Sequence, residues 1–400
     1  ALPWHGRGRG FESHRLHQAA QAQEWTECIA GRKVAPARYG WPKEGMTVEV
    51  SFEELVAFGA EKVASDIFLK QGSPPMLRVH GEIEPTPMAP LTAEDTHNLA
   101  QELMSERQKT RFLDYHECDI GVTVPDAARL RINISQERGA VAVVARLIPL
   151  KPPSIDELLL PSILKELVKH KSGLILVTGP TGCGKSTTLA TMINEINETR
   201  PCNIVTIEDP LEYVHGDKHG IVMQREIGTD TESFADALKY VLRQSPDIIL
   251  IGEMRDVDTF TTAMAAAETG HLVFSTVHTR SAAETLDRIV NMFPPNDKPQ
   301  ICLRLSDTMK AALAQKLVPR ADGMGRVCSM EIMVVTPTIA KLIEEGRPGE
   351  VYSQIEEGQF WGMQTMNQSL YNYVKQGAIS PEQALINAGN LTEMKQMLRR

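Results

Sequence analysis

The rhythm of apolar and polar positions changes twice along the chain. Ser51-Phe-Glu-Glu54 has the form of a capping box, and Phe52, Leu55, Val56 and Phe58 follow at helical spacing. Asp66 to Lys70 and Met76 to Val79 read as strands around the turn Gln71-Gly-Ser-Pro-Pro75. Thr92 opens a second helix, and residues 120–124, 129–134 and 140–147 read as three more strands. This pattern predicts a small α+β domain over 46–150. Lys151-Pro-Pro153 ends it, because adjacent prolines neither complete a ladder nor continue a helix; residues 151–156 are read as a linker. Upstream, residues 1–45 show no period of either kind and hold three of the four tryptophans, Trp4, Trp25 and Trp41. They are expected to be a disordered tail or an artefactual extension.

From Gly173 the texture becomes that of short, purely apolar runs alternating with amphipathic ones. The runs 174–177, 204–207, 248–251 and 272–277 are apolar on both faces, as buried strands of a mostly parallel sheet are. Helices are expected at 184–198, 231–243, 257–269 and 281–291, within a domain spanning 157–336. After Thr336-Pro337 the pattern turns helical, and Ser380-Pro-Glu-Gln383 looks like another helix start. A C-terminal helical domain over 337–400 is therefore expected.

Composition narrows the setting rather than the chemistry. With 400 residues, 42% hydrophobic and 23% charged, the chain is long enough for two or three globular domains. Its net charge of −9 is a poor match to broad nucleic-acid or anionic-membrane binding, which need a positive footprint. No apolar run approaches the roughly 20 residues of a membrane span. The six cysteines form no CxxC pair, so neither a zinc clip nor a disulfide framework is expected. A soluble, cytoplasmic protein is the expectation.

The chemistry lies in the loops after the strands. Gly179-Pro180-Thr181-Gly182-Cys183-Gly184-Lys185-Ser186 fills every position of GxxxxGK[ST], directly after a strand and at the start of a helix. In such a loop the glycines let backbone N–H groups converge on phosphate oxygens. Lysine reaches the β/γ-phosphates, and the serine hydroxyl ligates Mg²⁺. Thr187 is a further candidate for phosphate contact. An acidic partner is required at a neighbouring strand end, and Ile248-Ile-Leu-Ile251 runs into Gly252-Glu253. Glu253 is therefore the candidate for holding Mg²⁺ or its water, with Asp247 a strand-start residue. Glu208-Asp209-Pro-Leu-Glu212 follows another strand, and Glu212 is a candidate for orienting the attacking water. His271 and His278 bracket Leu272–Val277; a phosphate-sensing role is expected there, with His278 the catalytic candidate.

Together these residues resemble the secretion ATPases of type II secretion and type IV pili. Leu242-Arg-Gln-Ser-Pro-Asp-Ile-Ile-Leu-Ile-Gly-Glu-Met-Arg-Asp256 is similar to the signature around that family's atypical Walker B. Residues 206–215 resemble its "Asp box" and 268–279 its "His box". Ser65-Asp66, Gly72-Ser-Pro-Pro75, Ile339–Glu345 and Gly362–Leu370 resemble the PilT-type pilus retraction motors within the family. The resemblance covers roughly 46–400. It implies an α/β fold: a RecA-like P-loop ATPase domain preceded by a PAS-like α+β domain and followed by C-terminal helices. It further implies a homohexameric ring that hydrolyses ATP with Mg²⁺, with nucleotide held between the two domains. The ring would drive pilus retraction and twitching motility through an inner-membrane platform protein, peripherally at the inner face of the cytoplasmic membrane. A paralogous retraction ATPase is a further implied partner, and nucleic acid is not one. Arg131 and Arg146 match the family's arginines that reach the γ-phosphate; Arg138 is a weaker match. Phe68 departs from the family, where many members carry His, and is found in PilU-like accessory retraction ATPases. Absence of a tetracysteine motif and of a large N-terminal extension argues against an assembly or type II secretion ATPase. A nucleic-acid translocase and a non-catalytic ATP sensor are the remaining alternatives.

Overall fold

The computed structural model describes residues 51–79, 81–148, 151–323 and 325–399. The expectations for 1–45, and for the domain start at 46, lie outside these residues. The chain divides into two compact units: one through Lys151 together with Glu212–Val214, the other comprising Pro152–Leu211 and His215–Arg400.

In the first unit, Ser51 accepts the N–H of Glu54 while the Glu54 carboxylate takes the N–H of Ser51, closing the expected capping box of helix Phe52–Glu61. An antiparallel sheet of six strands follows in the order β3-β2-β1-β6-β5-β4. These are β1 (Ala64–Leu69), β2 (Met76–Val79), β3 (Glu82–Pro85), β4 (Glu117–Val124), β5 (Ala128–Glu137) and β6 (Ala140–Ile148). β5 alternates buried and half-exposed positions along most of its length, so Leu130, Ile132 and Ile134 face the core while Arg131 and Asn133 face away. The helical region opened by Thr92 is two helices, Ala93–Leu103 and Glu106–Tyr115, because Ser105 and Gln108 form a second capping box that restarts the chain. β3 escapes the pattern because all four of its residues are exposed.

The second unit is built on a seven-stranded sheet in the order β13-β12-β7-β11-β10-β8-β9. Its strands are β7 (Gly173–Thr178), β8 (Asn203–Glu208), β9 (Ile221–Glu226), β10 (Ile248–Ile251), β11 (Leu272–Val277), β12 (Met309–Pro319) and β13 (Arg326–Val334). All neighbours run parallel except β12 and β13. β7, β10 and β11 are buried at every position, matching their unbroken apolar sequences. The expected helices form at Lys185–Thr199, Phe234–Val241, Val257–Glu268 and Ala282–Asn291, the second shorter than its pattern. Three strands were not expected. β9 reads as mixed polar, and β12 (Met-Lys-Ala-Ala-Leu-Ala-Gln-Lys-Leu-Val-Pro) is rich in helix-forming residues. Pairing on both sides overrides that propensity. In β13 the alternation is broken by buried Ser329 and Glu331.

Glu331 ties the starts of two helices to this sheet. Its carboxylate is 3% exposed and accepts the N–H of Ala282, the first residue of helix Ala282–Asn291, at 2.8 Å. It also accepts the N–H of Met366, which opens helix Met366–Lys375. Burial pushes its pKa up, with these two N–H donors and Lys316 opposing. Glu331→Ala strands two buried donors and is expected to cost about 2–4 kcal/mol, seen by calorimetry as a fall in Tm of about 5–10 °C. Glu331→Gln keeps an acceptor and is expected to stay within about 1 kcal/mol of the parent. Because the folded pKa is raised, the folded chain holds the proton to higher pH than the unfolded chain. Stability is therefore lost as pH climbs through that range, and the Gln variant lacks this loss.

Candidate active site

Parallel pairing sends the C-terminal ends of β7, β8, β10 and β11 to one edge of the sheet. Thr178 stands beside Val277, and Ile251 beside both Ser275 and Ile207. The neighbours β7 and β11 send their outgoing connections in opposite directions, to β8 and to β12, and such a reversal of strand order marks the place where open α/β sheets bind ligands.

The loop after β7 has the geometry its glycines allow. Gly179, Gly182 and Gly184 have φ of 142°, 76° and 89°, conformations other residues rarely adopt. At Gly179 a Cβ would lie 2.5 Å from the Gln315 carbonyl oxygen and 2.6 Å from Cys183 Sγ. Gly184 caps helix Lys185–Thr199 with no side-chain acceptor, so the helix start carries no built-in anion. Lys185 is 9% exposed and donates from Nζ to the carbonyls of Gly179 at 2.9 Å and Pro180 at 3.1 Å. Gln315 on β12 donates from Nε2 to the Cys183 carbonyl at 2.7 Å. Burial raises the Cys183 thiol pKa, so it stays protonated.

Glu253 leaves the neighbouring strand end with its direction fixed. Thr276 Oγ1 donates to the Gly252 carbonyl at 2.6 Å, and Met254 N–H to the Thr276 carbonyl at 3.2 Å. The Glu253 carboxylate lies 2.6 Å from the Arg255 guanidinium and 3.6 Å from His278 Nε2. Burial holds the His278 pKa down, Lys185 and Arg255 add to this, and Glu253 opposes. Lys185, Glu253, Arg255 and His278 thus form one electrostatic cluster. Arg255 was passed over in the sequence because its value is positional: it follows a glutamate by two residues outside any helix.

His271 does not join this cluster. It precedes β11, seven residues from His278, or about 23 Å along a strand. Its Nδ1 sits 2.9 Å from the Ala266 carbonyl, closing the end of helix Val257–Glu268. The two bracketing histidines therefore do different things. Asp247 is the strand-start residue expected, its carboxylate accepting the Asn203 N–H at 2.8 Å. In the acidic stretch, Thr206 Oγ1 donates to Glu208 at 2.8 Å, the Asp209–Pro210 peptide is cis, and Leu211 N–H reaches Glu226. His215, closing that stretch, is buried and its pKa is pressed down to about 4, by burial first and Lys218 second. Glu212 belongs to the segment counted with the first unit.

In the first unit, Arg131 and Arg146 face each other directly across β5 and β6. The row continues to Asp66 on β1 and Arg78 on β2. Arg146 Nε is 3.1 Å from one Asp66 oxygen and Arg78 Nε 3.4 Å from the other. The Arg78 guanidinium also lies 5.2 Å from the centre of the Phe68 ring. Arg138 is elsewhere: with φ of 52° it forms the hairpin turn with Gly139, seven residues from Arg131.

The sequence profile described as "Type II/IV secretion system protein" matches residues 160–332, which hold the entire phosphate loop and the Glu253–His278 cluster. A twitching motility protein of Neisseria gonorrhoeae is 42% identical over 92% of this chain and 99% of its own length. The chain belongs to the type II/IV secretion system protein family. A type IV pilus retraction ATPase of Pseudomonas aeruginosa, PilT, is 45% identical over 83% of this chain and 96% of its own. The crystal structure of a pilus retraction motor PilT with bound ADP superposes with a TM-score of 0.81. It is 44% identical to this chain over 87% of it and all of that protein. The family resemblance and the α/β fold expected from the sequence both hold. Among the described residues, no helix is long and apolar enough to cross a membrane.

The electrostatics of this family's cluster make a checkable statement about His278. Its imidazole is expected to titrate below the ordinary value of about 6.5 and to be neutral at pH 7. By NMR, Lys185→Met should move the midpoint up and Glu253→Gln should move it down. A parent midpoint at or above the ordinary value would contradict the assignment. Any step requiring neutral His278 is retained above that depressed pKa and lost as pH falls through it.

Proposed function

We propose that this chain is an ATP-hydrolysing motor that drives the retraction of type IV pili. The observation that carries the reading is the conjunction of a complete phosphate loop with Glu253 and His278 beside Lys185, in a chain 45% identical to a retraction ATPase over almost all of that protein. Nucleotide binding follows from the loop. Its glycine conformations, uncapped helix start and a lysine hydrogen-bonded to loop carbonyls are what a polyphosphate needs.

In this reading Lys185 leaves the Gly179 and Pro180 carbonyls for the β- and γ-phosphates, and the N–H groups of 181–187 donate to the remaining phosphate oxygens. The Ser186 hydroxyl and the Glu253 carboxylate, directly or through water, are the residues that would hold Mg²⁺, whose contribution is to neutralise phosphate charge. Both present hard oxygen donors suited to that ion. Glu253 and Glu212 orient or deprotonate the attacking water, and His278 senses the γ-phosphate. Arg131 and Arg146 neutralise charge developing on the transferred group. Assembly into a homohexameric ring, docking to an inner-membrane platform protein and a site of action at the inner face of the cytoplasmic membrane complete the proposal.

Lys185→Ala and Glu253→Ala are expected to abolish phosphate release by the purified protein. Arg131→Ala should keep ADP binding while turnover falls about 10³-fold, the low end of an arginine finger's contribution. Unchanged turnover in that variant would remove Arg131 from the mechanism. In cells, deleting the gene should leave pili that extend but do not retract. If the chain restores retraction only alongside a second retraction ATPase, it is the accessory motor instead.

A further inference from the structure

We infer that Gln315 is the positioning residue of the phosphate loop, setting affinity for the nucleotide's phosphates through the Cys183 peptide. This rests on the nucleotide-binding reading above and extends it to a residue outside the loop motif, 130 residues beyond Lys185.

The argument starts from what the loop must do. Its N–H groups converge on an anion only if its carbonyls point elsewhere, and each carbonyl turned inward to the fold needs a donor. Two of them, at Gly179 and Pro180, are served by Lys185. That service is temporary, because the lysine is the residue required by the phosphates. The Cys183 carbonyl is served instead by Gln315 Nε2 at 2.7 Å. Gln315 is 1% exposed and lies on β12, paired to Met330 of β13 and following directly on Ala314, the last residue of β12 paired to β7. This donor is therefore neutral, immobile and independent of nucleotide.

Three further contacts show that β12 shapes the loop. The Gln315 backbone carbonyl lies where a Cβ on Gly179 would be, at 2.5 Å. Gln315 Nε2 is 3.3 Å from the corresponding position on Gly184, and Leu317 Cδ1 is 4.0 Å from it. The two glycines at the ends of the turn are thus fitted to the same residue. The other end of the amide is equally informative: Gln315 Oε1 is buried without a hydrogen-bond partner. An apolar side chain of the same volume would avoid the cost of that unpaired acceptor, and the hydrogen bond from the donor half of the amide to Cys183 is what such a side chain would lose. Turning the amide over would set Oε1 against the Cys183 carbonyl, so the donor's direction is fixed by chemistry.

The test uses the full-length protein with ADP and ATP as probes. Gln315→Met preserves volume and removes the donor; Gln315→Glu preserves shape and sets a carboxylate oxygen against the Cys183 carbonyl. Both are expected to weaken ADP binding and raise KM for ATP about tenfold. kcat at saturating ATP should fall less than about threefold, and amide hydrogen exchange across 179–186 should accelerate. The split between KM and kcat separates positioning from loss of fold, which would lower the active fraction and leave KM unchanged. Parent-like ADP affinity in either folded variant overturns the inference, as does a fall in kcat at unchanged KM. If Gln315→Met fails to fold, Gln315→Glu decides the matter by the same readings. Failure of the parent itself to bind ADP would instead remove the nucleotide-binding reading on which this rests.

Discussion

A turn can aim several N–H groups at one point only if its backbone enters conformations that side chains forbid, and only if something rigid holds both ends. Gly179, Gly182 and Gly184 supply the first condition. β7 supplies the second: it is buried at all six positions and paired on both sides, to β11 and to β12. Helix Lys185–Thr199 then fixes the exit, with ten buried positions among its fifteen. Lys185 is consequently anchored by its main chain while its ammonium rests on carbonyls that it can release. The other side chains of the site are delivered to the loop by parallel pairing, because β8, β10 and β11 run parallel to β7 and end at the same edge of the sheet. A shift of one residue in the β10–β11 register would turn Ile251 and Ser275 over and carry Glu253 away from His278.

A sheet that exposes its functional edge must also guard its side edge. β9 is the last strand, and its N–H groups alternate between β8 and open space. Two of the outward groups are taken by carboxylates: Val222 N–H by Asp217 at 2.9 Å and Glu226 N–H by Asp230 at 2.8 Å. Acidic side chains here both satisfy the donors and discourage another strand from adding on. On the opposite side helix Met366–Lys375 packs against β13, fastened to it by Glu331, which accepts the Met366 N–H, and by Ser369, which accepts the Met330 N–H at 3.2 Å.

What the sequence makes legible follows from how locally each feature is determined. The loop motif, the capping boxes at Ser51 and Thr92 and the apolar strands β7, β8, β10 and β11 are each encoded within a few consecutive residues. β12 and β13 are not. The Ala, Lys and Gln of β12 are strand residues only because β7, 136 positions earlier (Ala311 against Ile175), pairs with it, and the Ser and Glu of β13 because β13 in turn pairs with β12. The same distance hides Gln315, whose side chain looks like any solvated glutamine until β12 is laid beside β7. His271 and His278 show the limit of reading spacing without direction. Both flank one strand, but a parallel sheet has a working end and a supporting end, and only His278 is at the former.

The arginine row of the first unit poses an electrostatic problem that stability alone does not explain. Like charges directly opposite on adjacent strands are unfavourable by a few tenths to about 1 kcal/mol, yet Arg131 and Arg146 are directly opposite. Asp66 accounts for one of them: it sits next in the row, is 8% exposed, and bonds both Arg146 and Arg78. Three guanidiniums with one carboxylate leave the row cationic. A sheet selected only for folding would place an uncharged residue at 131 and lose none of these ion pairs. Retaining both, and orienting one of them with a nearly buried carboxylate, is an arrangement suited to an anion that arrives from outside the unit, and it accords with the charge-neutralising role proposed for these two residues.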